Sequence, residues 1–252
     1  AEKAMAGMPK TPFVAPKGVR MVRVDRRSGK RVYGGWPTDD PKSAVIWDVF
    51  KPETEPRRSI RKDELLARLE ARKADAFRDD PFNNWLFGGF DPMQRTFANL
   101  ARHIYAPNGF CQILNEDGEG RAAAMWLMPG DKADATLGGT LQTYWGLFAS
   151  GGLGALQRGK AAGDAMARHH IKEPHAYLFT VGVAGAGRGR GLGRRLVEPV
   201  LQACDRSGTL TYLENSNPAN RRFYASLGFE RVELFHATPD SPPLEAMQRL
   251  PR

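Results

Sequence analysis

Two short segments of the sequence carry residue types that can do chemistry. The first, "VAGAGRGRGLGRRL" at 183–196, alternates glycines with arginines directly after an apolar run. A glycine loop between a strand and a helix start presents free backbone N–H groups, and the helix dipole favours an anion there. The second, "YLENSNPANRRFYASLG" at 212–228, contains Glu214 and Tyr224. A carboxylate and a phenol of this kind can exchange protons with a bound substrate.

The glycine loop fails two familiar phosphate-binding patterns. A P-loop requires Gly-Lys-Ser/Thr where this sequence has Gly193-Arg194-Arg195. The dinucleotide fingerprint G-x-G-x-x-G fails from each starting glycine, because its last position falls on Arg190, Leu192, Arg194 or Leu196. The pattern that fits is R-x-x-G-x-G, over residues 188–193.

The elements around the two segments are predicted from apolar periodicity. The run 175–183 is apolar on both faces, which is typical of a central strand. A helix follows the loop, 209–215 is the next strand, and a short helix begins at Asn217 as N-cap and ends at Gly228. The predicted core face of the helix after the loop comprises Leu192, Leu196, Val197, Val200, Leu201 and Cys204.

Upstream, the periodicity predicts helices over 63–77 and 91–105, the second with Asp91 as N-cap, then a hairpin of 110–118 and 120–128. Residues 132–172 are predicted to be helical with a break at 150–154, and 229–237 and 243–250 to form a final strand pair. The fold class is therefore α/β or α+β, a sheet flanked by helices.

Residues 1–60 differ from the rest of the chain. They are rich in Pro, Lys and Arg, with a hairpin turn predicted at Ser28-Gly29 and a strand-like run at 43–50. We predict two domains, a basic, Pro-rich extension or small β appendage at 1–60 and a sheet domain at 61–252, with the boundary near 57–62.

Charge and composition exclude several function classes. The formal charge is +9, but residues 1–75 account for +7 of it, so the larger part has no basic face of the kind that binds nucleic acid. No apolar run is long enough to span a bilayer. Two cysteines, Cys111 and Cys204, in apolar contexts indicate buried thiols in a reduced compartment, and we expect a cytoplasmic protein.

The R-x-x-G-x-G loop after "VGV" resembles the acetyl-CoA loop of the GNAT N-acetyltransferase superfamily. The downstream Asn-x-x-x-Tyr of Asn220 and Tyr224, followed by Leu-Gly-Phe, is similar to the second cofactor element of that family. Together with "AFRDDP" and "AAMWLMP", these segments resemble the puromycin N-acetyltransferase-like branch over about 74–250. The resemblance implies a mostly antiparallel mixed sheet whose two central strands splay in a V, with acetyl-CoA as co-substrate and no metal.

The resemblance also implies roles for individual residues. Backbone N–H groups of the loop would hold the pyrophosphate, and its arginines, with Arg195 following, would supply charge. The backbone N–H of Val181 or Val183 would stabilise the oxyanion, Tyr224 would be the general acid, and Asn220 would contact the cofactor amide or support the helix start. The loop residues so assigned are Arg188, Gly189, Arg190, Gly191, Leu192, Gly193 and Arg194.

Glu214 is the leading candidate for the general base, with pairing to Arg221 or Arg222 as its structural alternative. Asp79 and Asp80 could line an amine pocket or cap the next helix. His169, His170 and His175 lack Cys or carboxylate partners at metal-ligand spacing, so no metal site is predicted. Trp126, Tyr144 and Trp145 could form an acceptor wall, although core burial is the simpler interpretation of each.

The sequence therefore predicts direct acetyl transfer from acetyl-CoA to a primary amine of a small molecule. Acetylation of a protein or peptide amine, and a non-catalytic CoA-binding module, are the alternatives, and a homodimer is left open. The family usually begins with a strand before its first helix, and none is evident here; a strand from the N-terminal segment could replace it, or the sheet could lack it. Residues 1–60 resemble the C-terminal tail of class A penicillin-binding proteins, which implies a fusion.

Overall fold

The computed structural model describes residues 20–25, 45–50, 77–105, 108–116, 119–131, 137–183 and 185–252. The chain divides into two units. In the first, strands β1 (Arg20–Asp25) and β2 (Val45–Phe50) pair antiparallel, with Arg20 opposite Phe50. The predicted turn at Ser28-Gly29 and the predicted helix up to residue 76 lie outside the described residues.

The second unit contains every described element from residue 77 onward. Helix α1 (Pro81–Phe87) begins where the Asp80 carboxylate accepts a hydrogen bond from Asn83 N at 2.8 Å, and it ends at Gly88, which has φ 69°. Helix α2 (Phe90–Leu100) continues into one π-helical turn, Ala101–Tyr105. The prediction of Asp91 as its N-cap is wrong: the helix begins one residue earlier, after Gly89, and Asp91 lies within the first turn.

The central sheet comprises β3 (Phe110–Glu116), β4 (Glu119–Leu127), β5 (His175–Val183), β6 (Leu210–Asn215), β7 (Glu230–His236) and β8 (Pro243–Arg249). In the described part of the chain it has six strands in the order β3-β4-β5-β6-β8-β7. Only β5 and β6 run parallel to each other. The predicted mixed, mostly antiparallel sheet is confirmed, as are the hairpin β3–β4 and the strand pair β7–β8.

The two central strands separate soon after they begin. Pairing between β5 and β6 covers only His175–Tyr177 against Leu210–Tyr212, and the later residues of β5 have no partner on that side. On its other side β5 carries a β-bulge: Thr180 pairs with Met125 and Leu178 with Trp126, which leaves Phe179 as one extra residue. A bulge bends its strand and increases the local twist, so it contributes to the splay.

Helices cover both faces of the sheet. Helix α3 (Leu137–His169) has non-helical backbone at Gly151 and Gly152, which confirms the predicted glycine break. It packs with α1 and α2 against one face, around Phe97, Tyr177 and Tyr212. Helices α4 (Leu192–Ser207) and α5 (Arg221–Ser226) cover the other face. The predicted core face of α4 is confirmed, because all six of its residues are buried.

Within the described ranges the central sheet begins at β3, and β1 pairs only with β2 in a sheet of its own. In the described part of the chain, β1 and β2 therefore do not supply the strand that usually precedes the first helix. Among these residues, no helix has the length and apolar composition needed to cross a membrane.

Candidate active site

A cleft of about 660 Å³ opens where β5 and β6 diverge. The end of β5 at 181–183, the glycine loop and the start of α4, the turn before α5, and the segment 77–80 form its walls. We call this the splay cleft. The loop of the first chemistry-bearing segment and Tyr224 of the second, far apart in sequence, both line it.

The glycine loop presents unbonded backbone amides to this cleft. Arg188 N and Arg190 N donate to carbonyls within the loop, and Arg195 N donates to Gly191 O. The remaining amides have no acceptor among the described residues. Those at the start of α4 lack one because no helical carbonyl lies one turn before them. These amides belong to Gly189, Gly191, Leu192, Gly193 and Arg194, the last three being the first residues of α4.

The glycines of the loop serve different purposes. Gly189 and Gly191 have φ of 76° and 73°, in the left-handed region that favours glycine, and a Cβ on either would meet no atom within 4 Å. The space beside them is open cleft. Gly193 is different, because its Cβ would lie 3.2 Å from Phe223 Cζ, so close packing of α4 on α5 also requires a glycine there.

The loop arginines are not equivalent. Arg188 lies 3.8 Å from the carboxylate of Asp79 in an exposed pair. Arg194 donates to the backbone oxygen of Ser226 at 3.0 Å and to its hydroxyl at 2.8 Å, so this guanidinium ties α4 to the end of α5. Arg190 and Arg195 are exposed to solvent. Arg194 therefore has a structural role in addition to the predicted electrostatic one.

Tyr224 lies at the cleft wall and is 8% exposed. Its ring packs against Phe223 and Phe229, with centroid distances of 5.2 and 6.1 Å, as expected for a core side chain. Its hydroxyl makes no hydrogen bond to any described residue. Burial, reinforced by the nearby Asp80 charge, raises the pKa of Tyr224 well above its ordinary value. The phenol therefore holds its proton at neutral pH, as a general acid must.

Asn217 and Asn220 divide two roles between them. The Asn217 side chain accepts from Ala219 N at 3.0 Å and caps the turn that leads into α5. Asn220 makes no side-chain capping bond, and its amide is at the cleft wall. Asn217 therefore supplies the side-chain cap, and contact of Asn220 with the cofactor stays a prediction.

Val181 and Val183 lie on the stretch of β5 that has no partner on the β6 side. Both residues line the splay cleft and pack against the core on the α4 side of the sheet. The free edge of this stretch is where an extended ligand could pair with the backbone as an added strand.

The acidic pair of "FRDDP" separates into two environments. Asp79 is exposed, whereas Asp80 is buried and caps α1. Asp80 also accepts a hydrogen bond from the Ser216 hydroxyl at 2.6 Å, which joins α1 to the end of β6. Burial raises the pKa of Asp80 despite these hydrogen bonds. Capping of the next helix is thus confirmed for Asp80, whereas its place in an amine pocket stays a prediction.

A second cavity of about 300 Å³ adjoins the splay cleft, and Phe77 lines both. We call it the apolar cavity. Its polar lining comprises Glu214, Tyr177, Asn83, Ser216 and three threonines, of which Thr180 has a buried Oγ1 with no hydrogen-bond partner in the described structure. Its walls are mainly rings and aliphatic side chains, including Phe82, Phe87, Phe97, Tyr177, Phe179 and Leu244.

Glu214 lies in the apolar cavity and does not line the splay cleft. Its carboxylate is 2% exposed and accepts from the Tyr177 hydroxyl at 2.6 Å on one oxygen, with His170 Nδ1 at 2.9 Å from the other. The predicted alternative, pairing with Arg221 or Arg222, is wrong. Arg221 instead forms an ion pair with Glu245, one strand further along the sheet.

The hydrogen-bonding contacts of two histidines near Glu214 were not predicted from the sequence. His170 contacts Glu214, and His175 Nε2 lies 3.1 Å from His170 Nε2. His170 and Glu214 are 44 positions apart. No spacing in the sequence indicates that pairing. The "HH" just before a central strand indicated only that histidines would lie near the strand ends. No group of His, Cys, Asp and Glu in the described residues is arranged to hold a metal ion.

The three aromatic residues considered as an acceptor wall lie in different environments. Trp126 is fully buried, as expected for a core residue, and its indole N–H donates to Gln112. Tyr144 and Trp145 are 48% and 69% exposed, so their predicted core burial is wrong. They lie on an outward part of α3 and line neither cavity.

Comparison with known proteins gives this geometry a family. The model of the "Acetyltransferase (GNAT) family" matches residues 77–229. An uncharacterized N-acetyltransferase, C550.08, of Schizosaccharomyces pombe is 29% identical over 199 residues, covering 72% of this chain and 78% of the relative. N-alpha-acetyltransferase 40 of Saccharomyces cerevisiae is 37% identical over 86 residues, 30% of each chain.

A crystal structure from Corynebacterium glutamicum, described as histone acetyltransferase HPA2 and related acetyltransferase, superposes with a TM-score of 0.54 at 24% identity. The match covers 77% of this chain and 94% of that one, and it supports the fold. The family model spans the glycine loop, both central strands and Tyr224, the elements that form the splay cleft. The chain belongs to the GNAT family of acetyltransferases.

Proposed function

We propose that the protein transfers an acetyl group from acetyl-CoA directly to a primary amine of a small molecule. The observation that carries the proposal is the set of unbonded amides at Gly189 and residues 191–194, facing a cleft beside a buried phenol that keeps its proton. Amides at a helix start bind a diphosphate, and a protonated phenol can serve a leaving thiolate.

The residues present fit the cofactor. Bound acetyl-CoA would supply the acetyl thioester and a diphosphate. The amides of Gly191 and Gly193 would hold the diphosphate, and the open space beside Gly191 admits phosphate oxygens. The free edge of β5 would pair with the extended arm, and the backbone N–H of Val181 or Val183 would donate to the developing oxyanion. Tyr224 would return a proton to the thiolate.

The apolar cavity is proposed to receive the acceptor. Its volume of about 300 Å³ suits a small molecule, and its ring-lined walls suit an apolar body. Glu214 provides a buried carboxylate that would attract a protonated amine and take its proton. Thr180 Oγ1 offers a further hydrogen bond to a polar group of the acceptor.

A peptide amine is the second candidate acceptor. The segment similar to N-alpha-acetyltransferase 40 favours it, since that relative is named for acetylating an α-amine. A peptide would need its first residue alone to enter the apolar cavity. We place the small-molecule amine first, because a cavity of this size leaves room for little more than one side chain.

Thiol release from acetyl-CoA, measured with matched panels of apolar amines, polar amines and short peptides, tests the proposal. We expect turnover with apolar primary amines, a product heavier by one acetyl group, and a large loss in Tyr224→Phe. Turnover confined to peptides would replace the acceptor class. Binding of acetyl-CoA with no acetylation of any amine would establish the non-catalytic alternative.

Two finer assignments also stay proposals. One is the puromycin N-acetyltransferase-like branch; the other is the penicillin-binding-protein origin of residues 1–60, with that segment a separate domain from 61–252. We further propose that the protein works in the cytoplasm, since Cys111 and Cys204 are buried free thiols that need no oxidising compartment.

A further inference from the structure

A chain of hydrogen-bonding groups leads from the apolar cavity to a second, outer pocket. Tyr177 and Glu214 line the apolar cavity. His170, His175 and Tyr177 line a separate outer pocket of about 230 Å³, bordered by residues 127–131 and 173–174. The side chains between the two cavities are in direct contact: Glu214 Oε1 lies 2.9 Å from His170 Nδ1, and His170 Nε2 lies 3.1 Å from His175 Nε2.

The donors and acceptors of this chain can be counted. His175 Nδ1 lies 2.7 Å from the backbone oxygen of Glu173 and must donate to it, because a carbonyl only accepts. A neutral His175 therefore presents a lone pair at Nε2. Glu214 Oε2 already accepts from Tyr177, so as a carboxylate it also presents a lone pair at Oε1. His170 stands between these two acceptors.

A neutral His170 carries one N–H and can satisfy only one of its two neighbours. With the proton on Nδ1 it donates to Glu214, and two lone pairs then face each other across the 3.1 Å between the histidines. With the proton on Nε2 it donates to His175, and the lone pairs then face each other at Glu214. The series Glu214–His170–His175 is thus one proton short, and the tautomer of His170 decides which of its two contacts is left without a hydrogen bond.

We propose that Glu214, His170 and His175 form a relay that carries the acceptor's proton out of the apolar cavity. This inference rests on the proposed function. An N–H bond of the bound ammonium breaks, and its proton goes to the Glu214 carboxylate. Glu214 passes a proton to His170 Nδ1, which leaves the amine neutral and Glu214 an anion again. His170 then carries a proton on each ring nitrogen; its Nε2 proton is shared with His175 Nε2 and leaves to water in the outer pocket, which both histidines line.

The surroundings favour one added proton and oppose two. The groups that face the histidines are Glu214 and Tyr212 from β6, Tyr177 from β5, Glu173 from the preceding turn, and Asp131 across the outer pocket. The Glu214 carboxylate lies directly against the His170 ring, 2.9 Å from Nδ1. Burial, with a further contribution from the charge of His170, lowers the pKa of His175, so the second ring does not charge separately.

His169 provides a matched control. It is the last residue of α3, directly before His170, and its Nδ1 lies 2.9 Å from Glu233 on β7 while its ring stacks on Phe235. It therefore has a carboxylate partner and a packed ring, like His170, but no link to Glu214. A general loss of packing at the end of α3 would affect both histidines, whereas loss of the relay would affect only His170.

The first measurement is a titration of ring nitrogens by NMR in the full chain, without acetyl-CoA. We expect the resonances of His170 and His175 to move together through a single protonation step. In Glu214→Gln that step should fall to lower pH by about 1 to 3 units, because a close negative charge is lost. Independent titration of the two rings, or no shift in Glu214→Gln, would overturn the proposal.

The second measurement is the pH profile of kcat/KM with the best amine. His170→Gln should lower kcat/KM roughly 10- to 100-fold at neutral pH and move the acidic limb, while KM for acetyl-CoA is unchanged. His169→Gln should keep both the rate and the profile, and equal losses in the two variants would contradict the relay. Absence of turnover with every amine would contradict the proposed function alone, and the ring titration would still decide the relay.

Discussion

A methyl group on Gly191 should have two separable consequences, a loss of folding free energy and a loss of affinity for acetyl-CoA. Gly191→Ala places a Cβ in open cleft at φ 73°, where no atom lies within 4 Å. The left-handed backbone costs an alanine about 1–2 kcal/mol of folding free energy. A diphosphate displaced by that methyl would also lose at least one charge-assisted hydrogen bond, worth about 1.5–3 kcal/mol. We therefore expect acetyl-CoA affinity to fall roughly 10- to 150-fold, measured by calorimetry.

Gly208→Ala is the control for backbone strain. Gly208 ends α4 with φ 64°, again with nothing within 4 Å of a Cβ, and it does not line the splay cleft. Both variants should lose a similar free energy of unfolding, and only Gly191→Ala should lose affinity. If Gly191→Ala binds acetyl-CoA as the unsubstituted protein does, the loop amides do not hold the diphosphate, and the central argument for the cofactor site is refuted.

Three further outcomes are expected. Tyr224→Phe should lower kcat about 10²- to 10⁴-fold with little change in KM for acetyl-CoA; an unchanged kcat in steady-state assays would remove the phenol as general acid. Asn220→Ala should raise KM for acetyl-CoA without changing the unfolding midpoint, whereas Asn217→Ala should lose about 1 kcal/mol of stability through its cap; the reverse pattern would exchange their roles. Asp205 accepts two hydrogen bonds from the buried Arg249 guanidinium, which hold the pKa of that carboxyl below 3.8. The stability from this pair should be present above pH 3.8 and be lost as pH falls through the lower folded-state pKa. Urea unfolding should show that loss in the native chain and not in Asp205→Asn, and equal slopes in the two would refute it.

The local elements of the second unit were predictable because each depends on residues near in sequence. The apolar run of β5, the 3.6-residue period of α4 and the capping residues Asn217 and Gly228 determine their own strands, helices and helix ends. The failure at Asp91 has the same local character. The helix begins after Gly89 without a side-chain cap, whereas N-cap propensity alone favours the aspartate over the glycine.

The cofactor side of the candidate site was also predictable from the sequence. The glycine loop is continuous in sequence, and its free amides follow from a strand, a loop and a helix start. The acceptor side was not. Glu214 was identified as a buried carboxylate, but its partners were misassigned, because a strand residue takes its neighbours from whichever elements cover its face. His170 reaches it from the end of α3, and Arg221 turns toward Glu245 instead.

The sequence by itself determined the order of elements from β3 onward, the phosphate-type loop and the two residues, Tyr224 and Glu214, on which proton transfer is proposed to depend. The tertiary structure decided the rest: how far β5 and β6 pair before they separate, the extra residue Phe179 that bends β5, and the division into a cleft and an adjoining cavity. Those features depend on strand register and helix packing between segments distant in the chain. Residue type and spacing do not specify such contacts, because many partners satisfy the same local pattern.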